Sequence, residues 1–482
     1  KLPQAIRLSF RKDPEGRGDI SNFGALATAL AATIGTGSIV GVATAVLAGG
    51  PGAVFWMWVT GIFGMATKYV EVFASIRYRV RDHNGNMLGG AMYVWERAFK
   101  RADGTVPWWA KLGAGAFAAF AVVATIGTGS AVQASAMTGI ITSSLPVPAW
   151  AVGLVIVVLV AAVIFGGVRS IASVCEKLVP VMAVAYAGGC LIILALNWAV
   201  LGDALALIFA CAFTAKAAFG GAVGSGIVMA LQFGCARGLF SNESGLGSAP
   251  IVAAAARTRN PAEQALVAMT GTFWSTVVIC ALTGVVLVST MLTYPEIQEE
   301  ILASPSVYTG AALASAAFAK IPYVGTPVLV IGMVAFSYST ILGWSYYGNR
   351  CVTYLLGRRA ILPYQVAYVA VAFPAPWAWG TWCGRCRTSA TPSWRCPTSW
   401  PSCCSPGSSR ARRAITSTTT TSTRCASVPF PCSRASSGPP APGCRPRPRC
   451  RLAVLPRPNW GNAVPLADIF ALAVPASLSR CL

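Results

Sequence analysis

A series of long apolar runs, separated by short polar loops, limits this chain more than any other feature. They fall at about residues 22–48, 51–76, 112–144, 149–168, 176–198, 219–236, 264–293 and 325–347, and a ninth begins near 362. About 20 apolar residues in helical form cross a hydrocarbon core of ~30 Å. Lipid offers no partner to a free N–H or C=O, so a spanning segment must be a helix or part of a closed barrel. The runs show no alternation of period two, which leaves helices. Only 11% of the residues are charged, against about 25% in typical soluble domains. So few charges could not cover a soluble surface of this size. The chain therefore reads as an all-α polytopic membrane protein surrounded by lipid.

The formal net charge of +22 would suit a nucleic-acid binder only if the charge lay on one basic face. Here it lies in loops and in an unusual C-terminal segment, which excludes nucleic acid as a partner. With residues 1–19 assigned to the cytoplasm, the loops on that side of residues 1–373 hold twenty Lys and Arg, and the opposite loops hold two, Lys216 and Lys320. That asymmetry sets a cytoplasmic N-terminus in the cell's inner (plasma) membrane. Residues 1–19 are polar and basic and lack the apolar core of a signal peptide. The chain does not start with Met, so its natural N-terminus is expected to lie further upstream. The single histidine, His83, sits in a polar loop. The runs hold no nucleophile beside an acid–base pair, so the chain is not read as an enzyme.

Glycine interrupts several runs. Gly35, Gly37 and Gly41 fall near the middle of the first, a near copy (IGTGSAVQASAMTG) occupies 126–139, and FGGAVGSG occupies 219–226. Two readings stand. Small residues let helices pack closely, or they break a helix so that freed backbone groups bind an ion or a carboxylate near mid-membrane. The first and sixth runs enter from opposite sides and lie five apart, the spacing of an inverted five-helix repeat.

Polar residues within the runs form a second set of candidates. Lys68 and Glu71, three apart on one helical face, are either an ion pair near the cytoplasmic end or a functional intramembrane charge. The Gln133 amide could hold an amino or carboxyl group, or another helix. Ser339 and Thr340 are adjacent hydroxyls, which suit a small hard cation or bond back to their own helix. Trp344 lies deeper than Tyr346 and Tyr347 and could wall a small pocket.

Four segments, GDISNFGALATALAATIGTGSIVGVATAV, GGAMYVWERAF, RGLFSNESGLGSAPIVAAAA and STILGWSYYG, occur in this order. They resemble the alanine or glycine:cation symporter family over about residues 3–373. The resemblance implies a leucine-transporter-like fold of two inverted five-helix repeats that imports alanine or glycine with sodium; a transporter or channel of the same fold for another small solute, or a non-functional truncated product, is the alternative. It implies that Thr36 and Gly37, in an unwound stretch, meet the substrate carboxylate with backbone N–H groups. Gln133 would complete the pocket, and Trp344 would close it around a small side chain. Sodium would lie between backbone carbonyls near Ala31 and Ile34 and the hydroxyls of Ser339 and Thr340. Asn242, Glu243 and Ser244 would lie on the cytoplasmic side and brace an inner gate. Family members carry one more helix before the first core span, and it is missing here.

The organisation expected is a cytoplasmic segment (1–19), a transporter core (20–373) and a tail (374–482). The tail holds ten of the sixteen cysteines, seventeen of the thirty-one prolines, fourteen arginines, one acid (Asp468) and no lysine. A break in the reading frame between about 373 and 377 accounts for it. Reading each codon from the third base of one residue and the first two of the next forces Trp382–Cys383 to valine. It likewise forces Trp394–Arg395 (with arginine encoded as CGN) and Trp400–Pro401 to alanine, and Cys403–Cys404 to leucine. The shifted run permits N-A-L-M-A-L-P-N followed by an apolar helix, which resembles the family's closing motif. The repeat is therefore expected to be incomplete at the C-terminus, and uptake is expected only once the frame is restored.

Overall fold

The computed structural model describes residues 2–11, 16–82, 85–214, 226–303 and 310–373. His83, most of the 219–226 glycine stretch, and the tail with its shifted-frame reading lie outside the described residues.

After a short amphipathic helix, α1 (Leu2–Ser9), the first apolar run starts at Ser21. Its hydroxyl accepts the Gly24 N–H at 2.8 Å and caps α2 (Asn22–Thr33). The run does not continue straight. It resumes as α3 (Gly37–Gly49), bent by 53° from α2. Gly50 (φ 73°) and Pro51 turn the chain into α4 (Gly52–Arg77), because glycine accepts the left-handed φ and proline suits a helix start. A small antiparallel hairpin follows, β1 (Val80–Arg81) with β2 (Met87–Leu88), in which Val80 pairs with Leu88. Then come α5 (Ala91–Ala98), α6 (Trp108–Ser144), α7 (Ala149–Ile164), α8 (Gly167–Leu196) and α9 (Trp198–Phe213). The remaining helices are α10 (Ile227–Asn242), α11 (Ala249–Ala253), α12 (Pro261–Thr293), α13 (Pro295–Ala303), α14 (Gly310–Phe318), α15 (Gly325–Leu356) and α16 (Ile361–Ala372).

Among the described residues, α6, α8, α12 and α15 are each long and apolar enough to cross a membrane, and the bent pair α2–α3 makes a fifth span. The chain is a multi-pass membrane protein. Two groups of helices form. In one, α4 packs on α9, α10 and α12, with α3 against α10. In the other, α15 packs on α6, α7, α8 and α16. The short α2 leans across from the first group onto α8 and α15. A helix too short to span alone thus carries the join between the two groups.

Of the two readings of the glycine motifs, the near copy follows the unbroken one. Thr125–Ala131 is a wider π-helical stretch inside the continuous α6. A Cβ on Gly127 would meet nothing within 4 Å, so no neighbour pulls the chain apart there. The described part of the run at 219–236 belongs to α10, which continues to Asn242 and is followed by an irregular stretch and α11. The helix α9 ahead of it went unrecognised, because Asp203 and a short length masked its apolar face.

Candidate functional site

The site forms where α2 ends. Around Ala31 the helix faces α15, which comes close because Gly343 has no side chain. A Cβ there would sit 2.9 Å from the Ala32 Cβ and 3.0 Å from the Ala32 nitrogen. That approach brings the Thr340 hydroxyl to donate to the Ala31 carbonyl at 2.9 Å, and Ser339 to the same oxygen at 3.4 Å. Both hydroxyls also bond back to Phe336 in their own helix at 2.9 Å. Ile34 is buried at the end of α2, its N–H donating to Leu30 at 2.7 Å. Oxygen atoms from two helices converge here in a dry setting, a donor set suited to a small hard cation.

Gly35 lies one step beyond. A Cβ on it would meet the Thr340 hydroxyl at 2.5 Å and the Gln133 Oε1 at 3.5 Å. Gln133 donates from Nε2 to the Thr128 carbonyl at 3.4 Å, inside the π-helical stretch of α6, and its buried Oε1 has no partner. An acceptor is therefore left facing the break. Trp344 supplies a wall. Its indole N–H donates to the Ala32 carbonyl at 3.4 Å, and its Cβ would lie 2.5 Å from a Cβ on Gly129. Thr36 is buried and precedes the first turn of α3. Gly37 faces the other way, against the Phe240 ring, which a Cβ would meet at 2.9 Å. The structure thus gathers Ala31, Gln133, Ser339, Thr340 and Trp344 around Gly35, with Thr36 in the break itself and Gly37 turned toward α10.

The sixth span supplies the opposite wall. Asn242 is the last residue of α10 and Glu243 its C-cap, with Ser244 just beyond. They open an irregular stretch between α10 and α11 in which Glu243 (φ 53°), Gly245 (φ 89°) and Gly247 (φ 71°) all adopt left-handed backbone. For a glutamate that conformation costs on the order of 1 kcal/mol or more and must be held by its surroundings. The stretch rests on the middle of α4, where Gly64 leaves room for Ser244 and Asn242. Glu71, one of the two intramembrane charges, accepts the Gly247 N–H at 3.0 Å and also the Gly245 N–H. It does not pair directly with Lys68, whose ammonium is buried without a hydrogen-bond partner. The two breaks meet through Ser38 and Ser241, whose hydroxyls lie 2.9 Å apart.

Sequence reasoning missed this second break. Its signal was Gly245–Leu246–Gly247–Ser248, a Gly-x-Gly-Ser like that at 35–38 and 127–130. The more glycine-rich 219–226 drew attention away from it.

A broken span beside a second helix pair interrupted by irregular backbone, α10 and α11, with oxygen donors and an orphaned glutamine oxygen at the break, is the arrangement of a membrane transporter that binds a small solute in its interior. Solved structures agree at the level of fold. A Na+-coupled sialic acid symporter superimposes with a TM-score of 0.50 at 12% identity, covering 77% of this chain and 79% of that one. A manganese transporter of Eremococcus coleocola gives 0.52 at 11% identity, with 79% and 74% covered. The fold is the leucine-transporter-like inverted repeat, incomplete at the C-terminus among the described residues. Residues 1–378 match the sodium:alanine symporter family, and the chain belongs to it. The sodium/alanine symporter AgcS of Methanococcus maripaludis is 46% identical over 375 residues, 77% of this chain and 79% of that protein. An uncharacterised transporter of Haemophilus influenzae is 47% identical over 372 residues, with 76% and 77% covered.

Proposed function

We propose that this protein is a secondary active symporter that imports alanine or glycine together with sodium. The observation that carries the proposal is the meeting of the Ser339 and Thr340 hydroxyls with the Ala31 carbonyl at the end of a broken helix. Sodium takes those three oxygens, with the Ile34 carbonyl as a fourth. The substrate occupies the space beside Gly35. Its carboxylate meets the N–H groups of Thr36 and Gly37, where the positive end of α3 favours an anion. Its ammonium meets the orphaned Gln133 Oε1, an acceptor that needs a donor. Trp344 covers the substrate side chain, and the crowding around Gly35 and Gly129 favours a methyl group or a hydrogen. Sodium and substrate share the end of α2, so each orders the backbone that the other needs, and their affinities are linked.

The protein lies in the cell's inner membrane with its N-terminus in the cytoplasm, a reading supported by the loop charge. The organisation is a segment of residues 1–19, a core of 20–373 and an out-of-frame tail from 374. Uptake of radiolabelled alanine into liposomes carrying the chain with its reading frame restored tests the function. Saturable uptake that needs an inward sodium gradient is expected. Uptake unchanged when choline replaces sodium would overturn it.

A further inference from the structure

Among the described residues, the mechanism above leaves unused three charged groups that interact with one another in the interior. Lys68 is 2% exposed on α4 and Glu71 lies one turn further on. Glu243, 2% exposed, stands in the break of the sixth span. Both carboxylates act on the Lys68 ammonium, which has no hydrogen-bond partner of its own. With all three ionised, the cluster carries one uncompensated negative charge out of reach of water. Such a charge costs several kcal/mol. Tyr347 is the other titratable group facing Glu243, from α15, and its buried phenol adds no positive charge.

We propose that Lys68, Glu71 and Glu243 form a proton-binding site, distinct from the sodium ligands, in which Glu243 carries the proton. The donor and acceptor inventory selects the carboxylate. Glu71 accepts two backbone N–H groups through the break, and neither can accept a proton in return. Its other oxygen is buried without a partner, so a carboxyl proton there would find no acceptor. Glu243 instead faces the Ser248 hydroxyl at 2.6 Å. A hydroxyl can reverse its role and accept from a protonated carboxyl. The step takes one proton from solvent and forms one O–H bond on Glu243. It leaves Lys68 and Glu71 as a neutral pair on one helical face.

The proton has a route to the pocket. The Trp344 indole N–H, which donates to Ala32, is also within reach of the Glu243 carboxylate. An ionised Glu243 draws that N–H strongly and ties the sixth-span break to α15. A neutral one holds it less. Protonation thus loosens a contact between the two helix groups at the wall of the candidate substrate site.

Two measurements on the full-length chain with its reading frame restored test the inference. The first does not depend on transport. The infrared spectrum of the purified protein at neutral pH should contain a protonated-carboxyl C=O band. That band should be absent in Glu243→Gln and retained in Glu71→Gln. The second rests on the symporter reading. At fixed sodium, alanine uptake should follow a one-proton titration, and Lys68→Gln should move its midpoint to higher pH because the cation opposing protonation is gone. A native protein without the band, or a band that survives Glu243→Gln, overturns the proton site. A band that behaves as expected in a chain without sodium-driven uptake leaves the proton site standing and removes the symporter reading instead.

Discussion

Thr340 contributes one hydroxyl and bridges two elements with it. It donates both to Phe336 in its own helix and to Ala31 across the interface. Replacing it with alanine removes one of the proposed cation ligands but leaves Gln133 and Trp344 in position. Thr340→Ala is expected to weaken the apparent sodium affinity about tenfold, roughly 1.4 kcal/mol, with the alanine KM little changed at saturating sodium. Sodium titration of uptake measures both. Gly35 is a stricter position. A methyl group there would drive into the Thr340 hydroxyl and toward Gln133. Gly35→Ala is expected to abolish sodium-dependent alanine binding while the protein remains folded, as followed by alanine-induced change in tryptophan fluorescence. Residue types alone had pointed to Ser339, Thr340, Gln133 and Trp344. They could not reveal that Gly37 turns away from Gln133, because that depends on where Phe240 packs.

At the scale of elements, two copies of one short motif behave differently. Gly35–Thr36–Gly37–Ser38 opens into a 53° bend, whereas Gly127–Thr128–Gly129–Ser130 stays inside α6 as a π-helical stretch. The neighbours make the difference. The first copy has α15 hydroxyls competing for the Ala31 carbonyl and α10 pressing on Gly37. The second has open space beside Gly127, and it is α15 through Trp344, rather than α10, that presses on Gly129. Helical runs were legible from apolarity, but whether glycine breaks or merely widens a helix depends on tertiary contacts, and these lie beyond a local pattern. The break between α10 and α11 depends in turn on α4. Removing the Glu71 carboxylate leaves the Gly245 and Gly247 N–H groups without their acceptor. Glu71→Ala is therefore expected to lower stability by about 3 kcal/mol, read as a lower thermal midpoint in detergent, with Glu71→Gln close to the native protein. Gly343→Val is expected to push α15 off α2 and to lose sodium dependence and alanine uptake together, since both sites share that seam.

The whole molecule is two helix groups joined by short discontinuous pieces. At one end, Arg79 fastens these pieces. Its guanidinium donates to Ala254 (3.1 Å) and Ala256 (2.9 Å) just beyond α11, to Thr258 (2.7 Å), and to Arg17 (2.9 Å) ahead of α2. Beside it the Arg257 N–H donates to the Ile20 carbonyl, and the Ile20 N–H donates to the Ala255 carbonyl. Both broken spans are thus pinned at the same end by one side chain, as a gate that closes there requires. Composition marks Arg79 only as one basic loop residue among many, because its four carbonyl partners all lie far from it in the chain. The reading-frame proposal also belongs to this scale. Resequencing codons 365–410 is expected to find one base gained or lost. The corrected gene should raise sodium-driven alanine uptake by at least about tenfold over the present chain, and equal uptake from the two would overturn the frame-shift reading.

The bend between α2 and α3 also bears on how such a chain enters a bilayer. At ~1.5 Å per residue, the 12 residues of α2 reach about 18 Å, little more than half of the hydrocarbon thickness. Neither half-helix satisfies the insertion machinery alone, and the unpaired backbone between them is costly in lipid until α15 and α10 arrive. The first span must therefore wait during biogenesis, held beside later helices before it is released sideways. The same unpaired backbone that would bind a solute makes late-synthesised segments necessary for the first one to settle.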